Sequence, residues 1–522
     1  MPNRSPIRAL LRPALLLPLL SVACDPPPPP STPDLPQVRV LLDEPSTVGT
    51  SLKLAISTSG CDQVQRLDLF DDTTPLKQVP FAGNPTPVEL AMNEVPYTRG
   101  IAANLALSAR VTCADGRTNI SQAQLATFFP VAESISPLTA TDQVVTDFFV
   151  AEGSGSTVSF IGCVRETTGQ GLYKVTKNPA DTGKRMDMPI PCKETTVITE
   201  RRPAGTGWRW VWTPNEGLFA IDPQFKPGPV FRLKVDRLAV TPEGDALVYD
   251  KGEGAEPINI KRVTPAGEIK WVLNMGSFII GDMVFAGSGP TVVIPLGNEF
   301  EDNTFGGKIS VGTLNYDTAQ WTSITLIHAP TNYIEWDYAP PVALNTFGTQ
   351  LYIVTQNGAS ADVRACAVSG TGDGRCDPPT NQKWLRNLQG QMVALVPYAN
   401  GSRLAAIAAH QTWFLDAATG QVVNKEAKSI SPTGALVPRQ VLLGPGSEFY
   451  LFTSAVLQQG QTRLPDPVEI IATEKAENGE LYRYQIPGGS IAGSTDDSGA
   501  LWLRVGRKLV RPLPLEQYRL VR

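Results

Sequence analysis

From Val38 to Phe129 apolar and polar residues alternate in period two. The runs are VRVLL (38–42), SLKLAIS (51–57), RLDLF (66–70), PVELAM (87–92), NLALSARVTC (104–113) and AQLATFF (123–129). One face of each run would be buried and the other wet, the pattern of a half-buried antiparallel sheet. GTS, DDTTP, GNPTP and ADGRTN separate the runs and supply turns. Five to seven short strands in about ninety residues predict a β-sandwich over 38–130.

Beyond residue 130 the pattern changes to a recurring hairpin, a Gly-containing turn followed by an alternating strand. It is legible in AEGSGSTVSFIGC, PAGTGWRWVW, TPEGDALVYD, AGSGPTVVIPL, NTFGTQLYIVT, YANGSRLAAIA, GPGSEFYLFT and TDDSGALWLRV. The marker glycines Gly155, Gly205, Gly244, Gly289, Gly348, Gly401, Gly446 and Gly499 lie 39 to 59 residues apart. A second hairpin follows several of them, in KRVTPAGEIKW (261–271), GTLNYDTAQW (312–321), FLDAATGQVV (414–423) and EKAENGELYRY (474–484). Two hairpins per unit make a four-stranded sheet, and units of about 40–50 residues predict the blades of a β-propeller over 131–522. A single blade exposes both faces and two edges; a ring of blades covers the faces and leaves short edges. The expected fold is therefore all-β, a sandwich and then a propeller of about eight blades, or seven if one hairpin is a decoration.

Asp416-Ala417-Ala418-Thr419-Gly420-Gln421-Val422-Val423 resembles the Asp-x-x-Thr-Gly-x-x-x-Trp signature of PQQ-like propeller repeats, and Thr264 to Trp271 does so more loosely. Asn424 stands where that family carries Trp. The pattern over 38–130 is similar to an immunoglobulin-like domain of the broad bacterial kind, although it contains no Trp and has Val111 where a tyrosine corner would put Tyr.

The N-terminus changes the picture from architecture to address. Arg4, Arg8 and Arg12 precede a short apolar stretch, Ala14 to Val22, and small Ala23, the layout of a secretory signal over 1–23. Leu20-Ser21-Val22-Ala23-Cys24 resembles a bacterial lipobox, with Ser21 where the family usually has Leu. The resemblance implies cleavage after Ala23 and acylation of Cys24. Over 24–37, Pro26 to Pro30 with Pro33 and Pro36 form a stiff polyproline II linker. The seven cysteines are an odd number for an exported chain. If Cys24 is lipidated, Cys61, Cys113, Cys163, Cys192, Cys366 and Cys376 can pair completely, and sequence order suggests 61–113, 163–192 and 366–376. The expected location is the cell envelope, lipid-anchored at the outer membrane.

Composition narrows the partners. Charged residues make up 18% of the chain and the formal net charge is −5. Removing residues 1–23 takes away three arginines and no acid, leaving −8. No Lys/Arg run stands out, which argues against nucleic acid and an anionic lipid surface as partners. No segment after the N-terminus holds about 18 consecutive apolar residues, the length of a membrane-spanning helix.

Candidate chemistry is sparse. No GxSxG elbow, no zinc-like Cys/His spacing and no EF-hand loop occurs, so no catalytic residue, metal ligand or cofactor is assigned. Enzymes that use PQQ in such a propeller carry a vicinal Cys-Cys pair, which is lacking. Of two histidines, His410 closes a predicted strand, and His328 precedes APTNYIEWDYAPP (329–341). There Tyr333, Glu335, Trp336, Asp337 and Tyr338 interleave aromatic surface with carboxylates, as sugar- or peptide-binding loops do; an inner strand beside the channel would show the same alternation. Asn298 to Asp302 reads as a solvated acidic loop, and Trp208, Trp210 and Trp212 as core between sheets. The function that follows is a non-catalytic binding or scaffolding platform for protein, peptide or glycan, held at the membrane through Cys24. Two other readings are an accessory role in outer-membrane protein assembly, whose propeller lipoprotein is similar in anchor and form, and a glycan-active enzyme using a carboxylate pair.

Overall fold

A computed structural model describes residues 34–513 apart from 45, 96–101, 137–143, 167–168, 178–183, 194–195, 200–207, 251–256, 277, 287–288, 299–307, 329–341, 358, 369–375, 377–380, 391, 409–410, 427–435, 444–448, 456–466, 474–481 and 488–490. Among the described residues every regular element is a strand except for two 3₁₀ turns, Met92–Glu94 and Gly155–Thr157.

Two sheets face each other at the N-terminal end. One runs Gln37–Leu42, Ser51–Ser59, Thr86–Ala91. The other has Ala103–Cys113 between Val64–Asp71 and Gln124–Ile135, with Thr74–Val79 at its edge. Period-two alternation puts Leu52, Leu54 and Ile56 on the inner face of the first sheet, against Leu67, Leu69, Leu105, Leu107 and Val111 of the second. Each fully buried aliphatic side chain contributes about 1.5–3 kcal/mol. Cys61, just past the strand 51–59, is bonded to Cys113 in the facing sheet, Cα to Cα 5.5 Å. The linkage joins the sheets at one end of the sandwich.

Seven antiparallel sheets follow: I (144–187), II (197–231), III (235–276), IV (278–328), V (342–389), VI (392–426) and VII (436–487). Sheets I, III, V, VI and VII have four strands in sequence order, the arrangement of propeller blades. Sheet II has three strands, and isolated bridges from Leu218 to Phe231 and from Ile221 to Pro227 bring a further segment alongside. Trp210 is fully buried, with Trp208 and Trp212 packed on the same side against sheet III. Cys163 is bonded to Cys192, and Cys366 to Cys376, both pairs deeply buried.

The last sheet is composite. Ile491–Thr495, Leu501–Val505 and Lys508–Pro512 form its first three strands, and its outer strand comes from the sandwich. Within Gln124–Ile135, residues 124–128 pair with Leu107 to Ala103 and 127–130 with Ser46–Gly49, while 131–135 pair with Pro512 to Leu509. The junction expected at 130/131 thus falls inside one strand. Its apolar sequence continues across that point, with Phe128, Phe129 and Val131 all buried.

This sheet meets sheet I. The Ala151 amide donates to Ser494 Oγ at 2.9 Å and the Gly153 amide to Asp497 Oδ2 at 2.9 Å, while the Asp497 amide donates to the Gly153 carbonyl at 2.9 Å. Phe160 and Trp502 stack edge to face at 4.8 Å. Glu133 in the shared strand pairs with Arg511 at 2.9 Å and with Lys177 of sheet I at 2.6 Å. End and beginning of the sheet array are therefore in direct contact.

Candidate functional site

In an antiparallel meander the first and third turns of every sheet lie at one end and the second turn and the sheet-to-sheet connection at the other. The array therefore has a turn end and a connection end, built from different residues.

At the turn end, first turns recur as one device. The amides of Gly244, Gly348, Gly401 and Gly499 donate to the carbonyls of Thr241, Asn345, Tyr398 and Asp496, three residues earlier, at 2.9–3.1 Å. Side chains brace the same turns. Asn345 Oδ1 accepts the amides of Thr349 (2.8 Å) and Gln350 (3.1 Å). Asp496 Oδ1 accepts from the Ser498 amide (2.9 Å) and hydroxyl (2.6 Å), and its Oδ2 from Trp502 Nε1 (3.1 Å). These short polar residues are selected because each replaces a backbone partner that the turn lacks.

Third turns form a second device, which also joins neighbouring sheets. Asp416 Oδ1 accepts the amides of Ala418 (3.2 Å) and Thr419 (3.0 Å) and the Thr419 hydroxyl (2.9 Å), and Gly420 turns with φ +68. Trp384 of sheet V donates Nε1 to the Ala417 carbonyl at 2.9 Å, and Arg386 Nε donates to the Gly420 carbonyl at 2.8 Å. A Cβ on Gly420 would stand 2.5 Å from the Trp384 ring. The same construction recurs at Asn315: its Oδ1 accepts the amides of Asp317 (3.0 Å) and Thr318 (3.1 Å), Ala319 turns with φ +58, and Trp271 of sheet III donates Nε1 to the Tyr316 carbonyl at 2.8 Å. Aligned residue by residue, NYDTAQ matches DAATGQ at the Asn/Asp, Thr and Gln positions.

Buried charge occupies the seams. Arg262, 5% exposed, donates to Asp245 at 2.7 Å, to Asp317 of sheet IV at 2.6 Å and to the Tyr316 carbonyl at 2.9 Å. Lys270 reaches the same Asp245 oxygen at 2.8 Å. Burial works against the Arg262 charge, but its bonds to Asp317 and Asp245 outweigh it and raise the guanidinium pKa. Between sheets I and II, Arg209 pairs with Glu152 at 2.5 Å, and Lys174 with the same carboxylate at 3.0 Å. Burial alone would raise the Asp416 carboxyl; the Thr419 hydroxyl and amide, the Arg403 charge and the Ala418 amide overcome it and hold that group below the usual carboxylate range. Burial pushes the phenols of Tyr352 and Tyr398 up to about 12. Chemically these groups hold turns and seams together. Among the described residues no group of three or more His, Cys, Asp or Glu is arranged to hold a metal ion.

Tyr333, Glu335, Trp336, Asp337 and Tyr338 lie outside the described residues, as do Cys24, His410 and residues 299–302 of the acidic stretch. The strand ends that flank 329–341, His328 and Val342, belong to the connection end, and His328 pairs in register with Lys308. Asn298 and Lys308, which flank 299–307, belong to the same end. All six cysteines expected to pair do so, in the order expected. The hairpin at 312–321 is legible in the sequence, but its likeness to the Asp416 turn and the seam pairs Arg262–Asp317 and Glu152–Arg209 were missed. The likeness had a signal, since Thr318 holds the Thr position of the repeat signature and Asn315 stands for its Asp; the seam pairs had none, because their partners are 55 and 57 residues apart.

No family model matches the chain, and no curated relative matches it. Among solved structures it is similar to the Dos1 propeller, at 11% identity and TM-score 0.46 over 73% of this chain and 94% of that one. It is also similar to the C-terminal WD40 domain of Sif2, at 8% identity and TM-score 0.43 over 74% and 99%. A third is a puromycin-hydrolyzing peptidase of Mycobacterium tuberculosis, at 13% identity and TM-score 0.41 over 68% and 55%. At this level of likeness the fold assignment stands on the sheet order and the closing contacts.

Proposed function

We propose that this chain is a lipid-anchored protein of the cell envelope, at the outer membrane, in which an immunoglobulin-like sandwich and an eight-bladed PQQ-like propeller form a non-catalytic platform for a protein, peptide or glycan. The observation that carries the reading is the cysteine pairing. Three disulfides use every cysteine except Cys24, and disulfides persist in oxidising compartments outside the cytoplasm. The odd cysteine is the one that ends a short apolar run and opens a proline run, where an acyl anchor would sit.

Two further observations support the architecture. Sheets I to VII and the composite last sheet make eight, with the last touching the first. The Asn315 and Asp416 turns share one hydrogen-bond pattern and one Trp contact from the preceding sheet, which favours a PQQ-like repeat. At the turn end and in the seams, Asn315, Asn345, Asp416, Asp496 and Arg262 are engaged in bracing turns and joining sheets. Ligand contact is therefore assigned to the connection end, where Tyr333 to Tyr338 belong by sequence.

The test uses the purified ectodomain from Ser31 onward on arrays of envelope glycans, peptides and envelope proteins. Binding to one class, lost in Trp336→Ala and Tyr338→Ala with melting unchanged, is the expected result. Binding that survives both substitutions, or no binding in any class, contradicts the assignment.

A further inference from the structure

The strand Gln124–Ile135 belongs to two bodies at once. Its first part is laddered to Ala103–Leu107 and Ser46–Gly49 in the sandwich, and its last part to Leu509–Pro512 in the last sheet. The apolar core ignores the boundary as well. Leu501, Leu503, Val510 and Leu513 of the last sheet, with Leu442 and Tyr450 of sheet VII, pack in one cluster with Leu52, Leu67, Phe128 and Phe129.

We infer that the sandwich is the clasp of the ring: its folded state holds the closing strand in place, so the contact between the last sheet and sheet I exists only while the sandwich is folded. This goes beyond the proposed binding role and does not depend on the anchor. The physical reason is the cost of a free edge. Without residues 131–135 the strand Lys508–Pro512 would expose its outer row of backbone groups, and Glu133 would no longer bridge Arg511 and Lys177 across the closing seam. A strand segment of five residues has little affinity for the ring alone. Its register is set by continuity with seven residues that the sandwich fixes. The ring thus responds to events in the sandwich, including reduction of Cys61–Cys113, which ties the central strand Ala103–Cys113 to the facing sheet.

The test weakens the sandwich on strands that pair only within it and reads the seam. Leu67→Ala removes a fully buried side chain of the sandwich, and Ile56→Val is a milder loss in its other sheet. All nine tryptophans lie in 131–522, so tryptophan fluorescence reports the ring alone. In the full chain, both variants should lower the fluorescence melting temperature together with the calorimetric one, in a single transition. By hydrogen exchange, the Ala151 and Gly153 amides, which bond across the closing seam, should lose protection about tenfold or more in Leu67→Ala. The Gly420 amide, in the third turn of sheet VI, should keep its rate. A separate calorimetric transition that leaves the fluorescence melt and the Ala151 and Gly153 rates unchanged overturns the inference. So does equal loss of protection at all three amides in Ile56→Val.

Discussion

Single residues at the turn end make the sharpest predictions, because paired turns act as controls for each other. Gly420→Ala puts a Cβ into the Trp384 ring at a φ of +68 and should cost about 2–4 kcal/mol. Ala319 already occupies the corresponding position with φ +58, so Ala319→Gly should stabilise by about 0.5–1 kcal/mol. Both are read by denaturant melts. Asn315 shows that an amide oxygen can brace this turn, so Asp416→Asn should cost under about 1 kcal/mol at neutral pH, losing only the half-exposed Arg403 pair. The Asp416 pKa is depressed on folding, so its contribution is present above the ordinary carboxylate value of 3.8 and is lost as pH falls below it. Asp416→Asn should make the acid limb of a melting-temperature profile shallower. At the alkaline end the sign reverses: Tyr352 and Tyr398 are raised from 10 to about 12, so the stability they support is whole below pH 10 and declines toward 12. Among the described residues the buried Tyr352 hydroxyl finds no hydrogen-bond partner. Tyr352→Phe should therefore be neutral or stabilising by about 1 kcal/mol, and should weaken the alkaline decline.

At the scale of elements, strands were legible and seams were not. The alternation in SLKLAIS and NLALSARVTC specifies buried and wet faces residue by residue, and the strands Ser51–Ser59 and Ala103–Cys113 carry that burial pattern. The glycine hairpins likewise mark sheet starts at Gly244, Gly348, Gly401 and Gly499, since a turn is a local event written in four or five residues. A seam is not local. Arg262 and Asp317 face each other only because two sheets stack, and no period in the chain announces it. The extent of the strand Gln124–Ile135 is hidden for a related reason: its apolar sequence runs on past 130, and its partners come from both ends of the chain. Seam energetics are testable. Arg262→Ala leaves buried Asp245 with Lys270 alone and should cost about 3–5 kcal/mol in chemical denaturation, against about 0–1 kcal/mol for loss of the exposed Arg185–Asp187 pair.

At the scale of the whole molecule, the last sheet of the array touches the first and shares the strand Gln124–Ile135 with the sandwich. Much of the candidate site was beyond the reach of pattern. Tyr333 to Tyr338 sit between strand ends His328 and Val342, and sequence distinguishes neither a loop from an inner strand there nor what converges around it. The three disulfides were legible because order along the chain matches proximity in the fold. Removing the clasp disulfide in Cys61→Ser/Cys113→Ser should cost about 2–5 kcal/mol and lower the melting temperature of the ring as well as the sandwich. The proposed anchor at Cys24 is tested most directly by mass spectrometry of the mature protein extracted from membranes, mapped without reduction. The account predicts an N-terminal peptide that begins at acylated Cys24 and three linked pairs, 61–113, 163–192 and 366–376. A different N-terminus, an unmodified Cys24, or Cys24 bonded to any of the other six contradicts it.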